Sequence, residues 1–509
     1  MAETNDVVIV GGGVIGTGLA RELSRYKLRV TLVERNADVT GVGTRAGHSM
    51  IYRGLMLVIS HVVKSYIFTE KPMEAEIGKE REKLRAAGFN LFEQVATELD
   101  IPYRWTRHLV VARNGGEVES LRRTERACTT YGVRVRWVDK NGIRAMEPNT
   151  SKDFIAGIYS DESVMVMFGP DFSIAYAENA VANGSNIMLE AEVTGVSQDG
   201  DYQVVETTKG PVRTKFIVNA AGGDADKIMD MVTDERGWER YFNASPLLIL
   251  DKRLKDLVHS IVMPVPAPGT NDFALPQIHG NPYVACFDYS RGEVEDRYDT
   301  FTVGERLRNS FARAQRILPG ISQSDVIASF LGTRAFVRPQ DDYVLGPLKK
   351  NPRFINAVVT PPGLIAAPAV INRLVDILHE QGLPLVKKKD FNPIRKRIPQ
   401  FSELPDDEKE ALIAKDPGYG HVICRCETVT EGEIVEAIRR GAQTVDAIKY
   451  RVRPGMGRCQ GGFCAPRVVT ILARELNIPI TQVTKSGANS EIVPYRSKEL
   501  LPLEVTAVR

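Results

Sequence analysis

The chain has 509 residues, 43% of them hydrophobic, which is enough for about two to four domains with buried cores. A net charge of +2 excludes a global attraction to nucleic acid or to an anionic membrane surface. Six cysteines in so long a chain exclude a disulfide framework and point to a reducing compartment. The opening MAETNDVVIVGGG has no basic segment followed by an apolar one, so no secretory signal is expected. The longest apolar run, GLMLVISHVVKSYIF from Gly54 to Phe68, is broken by His61, Lys64 and Ser65. It falls short of the roughly 18 apolar residues that a membrane span needs. The expectation is a cytoplasmic protein, with any membrane association coming through a partner.

The apolar run Val7 to Val10 suits a buried parallel strand. It turns through Gly11, Gly12, Gly13 and Gly16 into a helix with Ile15, Leu19 and Leu23 on one face. A second apolar strand, Val30 to Val33, ends on Glu34. This is a βαβ unit with G-x-G-x-x-G at the turn. Gly11 allows the tight turn, Gly13 lets backbone approach a pyrophosphate, and Gly16 lets helix pack on strand. An acid at the end of the second strand suits a ribose 2′-hydroxyl and would repel a 2′-phosphate. Further on, GFNLFEQVATELDI reads as helix, YRWTRHLVVA as strand and DFSIAYAENAVANG as helix. FIVNAAGGDADKIMDMV reads as a strand meeting a Gly-containing turn before a helix. FINAVVTPPGLIAAPAVINRLVDILHEQG repeats that grammar, with Gly363 opening a helix. The charged, proline-bearing stretch after Lys387 reads as an inter-domain connector.

Four of the six cysteines fall in one small domain: Cys424 and Cys426, then 32 residues, then Cys459 and Cys464. The first two stand too close to bridge each other easily. Four thiolates serve a structural zinc or an iron–sulfur cluster, and the spacing leans toward a 2Fe–2S cluster. Thr428 with Glu431, or Thr430 with Glu433, can form a capping box that starts a helix just after Cys426. Pro466 suits the first turn of a helix over RVVTILARELN. Helix N-termini favour thiolates and the sulfurs of an anionic cluster. Arg439, Arg440, Arg451, Arg453 and Arg458 lie around these cysteines in sequence, and for most of them a solvated surface is the simpler reading. Cys128 and Cys286 stand alone and read as packing residues.

CRCETVTEGEIVEAIRRG with RPGMGRCQGGFCAPR resembles the bacterioferritin-associated-ferredoxin-type 2Fe–2S domain. VVIVGGGVIG, IVNAAGG, PPGLIAAPA and FNPIRKRIPQFSEL fall in the order of the anaerobic FAD-dependent glycerol-3-phosphate dehydrogenase-like proteins. Those belong to the D-amino-acid-oxidase-like flavoproteins, and the likeness covers nearly the whole length. It implies an α/β Rossmann-like FAD-binding domain (1–90, 155–235 and 325–385) and an α+β substrate domain (91–154 and 236–324). A connector (386–417), a small, mostly helical 2Fe–2S domain (418–483) and a tail (484–509) would follow.

By the same resemblance, Gly11, Gly13 and Ile15 would hold the FAD pyrophosphate and Glu34 the adenosine ribose, with Arg35 beside it. Thr44, Arg45 and Ala46 occupy the loop that passes the phosphates, and Val193 the position whose backbone meets adenine. Ala221 and Gly222 match the second flavin-contacting turn, and Gly363, Leu364 and Ile365 the turn at the pyrimidine end. A single dinucleotide fingerprint leaves no separate NAD site. The substrate side departs from the family: MIYRG brings Tyr52 and Arg53, WERYFNAS replaces an arginine–glycine–acid–tyrosine pattern, and GTRAFVRP keeps Arg334 and adds Arg338. The stretch between Gly54 and Glu82 is also longer by about a dozen residues than the family's. Arg334, Arg53 and Arg338 are candidate substrate-binding cations. His279 and His48 are candidate bases, and Tyr52 a candidate donor to a substrate oxygen.

The resemblance implies an FAD-dependent dehydrogenase. It would take hydride from a C–H beside a hydroxyl, with glycerol 3-phosphate the leading substrate. Electrons would pass through the 2Fe–2S cluster to a partner redox protein in a hetero-oligomer, in preference to dioxygen. Oxidation of an amine, amino acid or other hydroxy compound is the alternative within enzymes. A non-catalytic electron-transfer or scaffold subunit is the alternative outside them.

Overall fold

The run Val7 to Val10 becomes the buried part of the strand Asn5–Val10. Val30–Val33 pairs parallel to it in the register Val7↔Val30 through Val10↔Val33. Val212–Asn219 pairs parallel on its other edge, and Asn351–Val358 lies parallel beyond that strand. Strands covered on both faces need unbroken aliphatic runs, and so these segments lack the polar alternation of a half-exposed sheet. Among the described residues, further strands extend this sheet to eight. The helix Val14–Leu23 packs against Gly169–Ala182 and Gly363–Glu380, and the last of these also packs against Glu80–Glu98.

A computed structural model describes residues 4–500, apart from 48–49, 53, 57, 60–78, 167, 268, 289–293, 295–296, 299–303 and 341. His48, Arg53 and most of the apolar run after Gly54 thus lie outside the described residues. Leu55, Met56, Val58 and Ile59, from the start of that run, are buried in the main core. Among the described residues no helix is long and apolar enough to cross a membrane.

The chain divides into two compact units. One comprises Met1–Val33, Thr40–Ile187 and Val193–Arg395 and contains the parallel strands just described. It also holds a second sheet, of nine strands among the described residues. There Glu239–Leu250 and Val326–Arg338 run antiparallel over their whole lengths, from Glu239↔Arg338 to Leu250↔Val326. The helix Gly304–Ile317 covers part of this sheet over Leu248, Val262, Val284 and Leu109.

The other unit comprises Glu34–Val39, Met188–Glu192 and Lys396–Arg509. A two-stranded ladder, Val422–Cys424 with Val429–Thr430, precedes the helices Glu431–Arg439, Val445–Val452 and Ala465–Glu475. Ile434, Ile448, Val468 and Leu472 form its core, and Ile398 joins them. The stretch read as connector also contains the helix Asp406–Lys415.

The helix pair Glu80–Glu98 and Gly363–Glu380 meets at Gly88, where an added Cβ would stand 2.3 Å from the Ile365 carbonyl oxygen and 2.9 Å from Ala366 Cα. Both obstacles are main chain and cannot rotate away. Gly88→Val is expected to lower stability by about 1–3 kcal/mol through overpacking. The urea midpoint measures it, and an unchanged midpoint would mean that the two helices separate freely at this crossing.

Candidate functional site

Two strand-to-helix turns lie side by side at one end of the parallel strands. Gly11 has φ of +111°, and a Cβ on it would stand 2.5 Å from the Ala220 oxygen and 2.9 Å from Ala221 Cα. Only glycine permits both that φ and that approach. Gly13 is the N-cap of Val14–Leu23 with no side-chain cap of its own. The Thr44 hydroxyl accepts from Val14 N–H at 3.2 Å. The backbone oxygen of Thr44 lies 3.0 Å from a Cβ built on Gly169, which also stands 3.8 Å from Leu364. Ala46 lies against Gly332, two residues before Arg334. Thus Gly11, Gly13, Thr44, Ala46, Ala221 and Leu364 are brought to one neighbourhood. Gly363 opens its helix behind Pro362, Ile15 and Ile365 are buried, and Arg45 is exposed. Val193 begins the strand Val193–Asp199 and is buried. Glu34 is buried and accepts from Asn36 N–H at 2.9 Å and Asn36 Nδ2 at 2.6 Å, with Arg35 exposed beside it.

Arg240 has no counterpart in the sequence reading. It is buried on the strand Glu239–Leu250, and its guanidinium donates to three main-chain oxygens: Gly222 at 2.7 Å, Val359 at 3.2 Å and Ala335 at 3.4 Å. It therefore links the turn at Gly222, the loop before Gly363 and the strand that carries Arg334. Burial pulls its pKa down to about 10. Arg297 supports the same turn, donating to the Gly223 oxygen at 3.0 Å while forking onto Asp226 at 2.6 and 2.8 Å.

On the substrate side, Arg334 is half-buried. Its Nη2 donates to Ser245 Oγ at 2.6 Å and Asn243 Oδ1 at 3.2 Å, and its guanidinium lies 4.0 Å from the Phe287 ring centre. Arg338 is exposed, ion-paired with Glu239, and stacked over Tyr241. His279 is buried edge-on to Phe168, with ring centres 5.8 Å apart. The Tyr52 hydroxyl meets Arg85 Nη2 at 3.5 Å, and Arg85 Nη1 is held by both oxygens of the buried Glu82, at 2.8 and 2.7 Å. Nothing in the sequence marked Arg85 or Glu82 as site residues, because the contact of Arg85 with Tyr52 joins residues about thirty positions apart.

In the smaller unit the four cysteines form two pairs. Cys426 and Cys459 have their sulfurs 3.7 Å apart and are exposed, while Cys424 and Cys464 are buried and share a hydrogen bond. Two sulfurs on one tetrahedral metal at about 2.3 Å would stand about 3.8 Å apart. Among the described residues no three His, Cys, Asp or Glu side chains converge on one point as a single ion would require. Two pairs suit two irons. The Cys424 thiol is lowered to about 6, first by the hydrogen bond from Cys464 and then by the N–H groups of Gly455, Glu427 and Cys426. Donating that bond raises Cys464. Of the two possible capping boxes, Thr430 with Glu433 forms, and Thr428 instead takes φ of +54° in the turn. Arg451 forks onto Asp38 at 2.5 and 2.9 Å, and Arg453 pairs with Glu427 at 3.4 Å.

The profile of the FAD dependent oxidoreductase family matches residues 6–376, and that of the BFD-like [2Fe-2S] binding domain matches residues 422–474. The chain belongs to the FAD-dependent oxidoreductases. A "Glycerol 3-phosphate dehydrogenase" of Caloramator mitchellensis is 37% identical over 97% of this chain and 99% of its own. A protein of Escherichia coli strain K12, named as one subunit of an anaerobic glycerol-3-phosphate dehydrogenase, is 23% identical over 93% of this chain and 89% of its own. Among solved structures, the FAD-bound L-alpha-glycerophosphate oxidase of Mycoplasma pneumoniae superposes with a TM-score of 0.67 at 24% identity. It covers 78% of this chain and 99% of its own.

The cofactors of this flavoprotein oxidoreductase are FAD and a 2Fe–2S cluster, and Cys424, Cys426, Cys459 and Cys464 are the thiols that fit the latter. Because Arg240 links the two turns that the resemblance gives to the flavin, Arg240→Met is expected to weaken FAD retention at least about tenfold, the loss of one to two charge-assisted hydrogen bonds. Equilibrium dialysis of FAD would check this, with wild-type retention counting against the link. In the cluster unit, burial raises the Glu433 carboxyl to about 7, despite hydrogen bonds from Thr430 and Phe401. Its folded form thus holds an extra proton between pH 4.5 and 7. That contribution to stability is present below 4.5 and lost as pH rises through 7. Relative to Glu433→Gln, wild type should gain on the order of 2 kcal/mol as pH falls from about 8 to about 5. The urea midpoint for loss of the cluster's visible band reads the difference, and parallel pH curves would exclude it.

Proposed function

We propose that this chain oxidises glycerol 3-phosphate at the carbon bearing its secondary hydroxyl and passes the electrons to a separate redox protein. Arg334 is the observation that carries the reading. Two neutral oxygens, Ser245 Oγ and Asn243 Oδ1, fix its guanidinium, and a rigid fork of that kind suits a phosphate dianion. The whole-length likeness to a relative named for that substrate supports it.

In this reading Gly13 and Ile15 offer main-chain N–H groups to the pyrophosphate, Gly11, whose own N–H donates to the Val33 oxygen at 2.9 Å, leaves the side-chain-free space beside it, and Glu34 bonds the adenosine ribose beside Arg35. Thr44, Arg45 and Ala46 line the phosphates, Val193 meets adenine, and Ala221, Gly222 and Gly363 to Ile365 frame the flavin. His279, or His48 from outside the described residues, takes the hydroxyl proton. Tyr52, held by Arg85, donates to a substrate oxygen, and Arg338 and, from outside the described residues, Arg53 are the further candidate cations for the substrate's phosphate. When bound, FAD accepts the hydride and the 2Fe–2S cluster releases the electrons one at a time. The acceptor belongs to a hetero-oligomer, in keeping with the name of the Escherichia coli relative, which makes it one part of a larger enzyme. Any contact with a membrane is made through that partner.

The test is anaerobic addition of glycerol 3-phosphate to the purified holoprotein, followed in the visible spectrum. Wild type should lose its flavin bands, and Arg334→Met should keep the oxidised spectrum at the same concentration, with kcat/KM down about 30-fold or more for loss of a charged hydrogen-bond pair. Bleaching by an amine or amino acid alone would replace this substrate with the C–N alternative. Bleaching by glycerol 3-phosphate only after partner proteins are added would make the chain a scaffold for their chemistry.

A further inference from the structure

We propose that the face carrying Cys426 and Cys459 is the electron exit, and that it docks a protein with an acidic surface and a one-electron redox centre. The inference rests on the reading above that electrons leave through the cluster, and it names the kind of acceptor.

The first observation is the asymmetry of the four thiols. Cys424 and Cys464 are buried, whereas Cys426 and Cys459 are exposed. Electron transfer between proteins requires close approach, so the exposed pair marks the edge where an acceptor can come nearest. The second observation is what borders that edge. Arg425 precedes Cys426, Arg458 precedes Cys459, and all four residues are exposed. Phe463, four residues after Cys459, is 43% exposed. The guanidinium carbons of Arg425 and Arg467 lie 4.7 and 4.8 Å from its ring centre. Two cation–π contacts hold an aromatic side chain in the open, where it would otherwise fold back onto apolar surface.

Charge decides the partner. Glu427, next in sequence after Cys426, is buried and ion-paired with Arg453, and Glu431 pairs with Arg474, so neither is paired to Arg425 or Arg467. An aromatic set among arginines is the composition of protein interfaces, not of bare surface. A basic rim speeds encounter with acidic surfaces and repels basic ones. The electrons balance over two encounters. Each substrate oxidised gives a hydride, which carries two electrons, and a hydroxyl proton that passes through the base to water. Each acceptor molecule takes one electron and leaves, so two are reduced per turnover.

The experiment uses the full-length holoprotein, reduced with dithionite so that the identity of the substrate does not enter. It is mixed in stopped flow with plant plastocyanin, an acidic one-electron acceptor, or with basic cytochrome c. The second-order rate with plastocyanin should fall about tenfold or more between low salt and about 0.5 M salt, while the cytochrome c rate should not fall. The double variant Arg425→Glu/Arg467→Glu should reverse that preference with its FAD and cluster spectra unchanged. Phe463→Ala should slow both acceptors without altering the salt slope. A plastocyanin rate that ignores salt, or a double variant that behaves as wild type, overturns the proposal. A Cys426→Ser variant that lacks the cluster yet reduces plastocyanin at the wild-type rate overturns instead the reading beneath it.

Discussion

The parallel pairing of Asn5–Val10 with Val30–Val33 on one edge and Val212–Asn219 on the other is the constraint around which the larger unit is built. Parallel strands in register end together, so the turns that follow them are forced to the same end of the sheet. Two such turns can lie side by side only if one has no side chain. Gly11 meets that condition, since its α-carbon faces the Ala220–Ala221 main chain at a distance no Cβ tolerates. The helix N-terminus at Gly13, the loop at Thr44 and the helix opening at Gly363 are then packed onto this frame and pinned there by the Thr44 hydroxyl on Val14 N–H and by Arg240 on the Val359 carbonyl.

Arginine does most of the remaining tying. Arg21, almost wholly buried, donates to Asn179 at 3.1 Å and to the Pro393 oxygen at 3.2 Å, while pairing with Glu98 at 2.5 Å and Glu22 at 2.7 Å. Arg395 joins Glu178 at 2.7 Å to the Leu99 carbonyl at 3.0 Å. Arg240 differs from both in bonding only to main-chain oxygens. Removing one partner of a buried charged network leaves the other desolvated, so such sites are costly to disturb even where the pair adds little net stability. The guanidinium suits them because its five donors can reach several acceptors at once.

The cofactors were legible in the sequence because the patterns that announce them are local. A glycine turn between two apolar runs, and four cysteines within about forty residues, keep their meaning without tertiary context. The substrate side was only partly legible. Arg334 was named from its motif, but its setting depends on Asn243 and Ser245 from a strand about ninety residues earlier. Arg240 and the Glu82–Arg85 pair gave no signal at all, since lone charged residues in an amphipathic stretch look like surface. The capping box was open between two registers. The structure resolves it through backbone, because an N-cap needs extended geometry and Thr428 is left-handed. Of the arginines near the cysteines, Arg451 and Arg453 turn inward to Asp38 and Glu427, while Arg440 pairs along its own helix with Glu436. Arg425 and Arg467, which flank Phe463, were not singled out, because their shared target is visible only once the chain has folded.

The pairing of Arg451 with Asp38 bears on how freely the cluster unit could be cut out or moved between proteins. The unit is not one continuous stretch of chain. Its Arg451 side chain is only 6% exposed and forks onto a carboxylate supplied from residues 34–39, far upstream of the rest. A fragment beginning near Lys396 would retain every cluster thiol yet lose Asp38, and with it the ion pair that holds Arg451. Fusion to a different flavoprotein would therefore require an acid at the position of Asp38 as well as the cysteines. The module travels with part of its host.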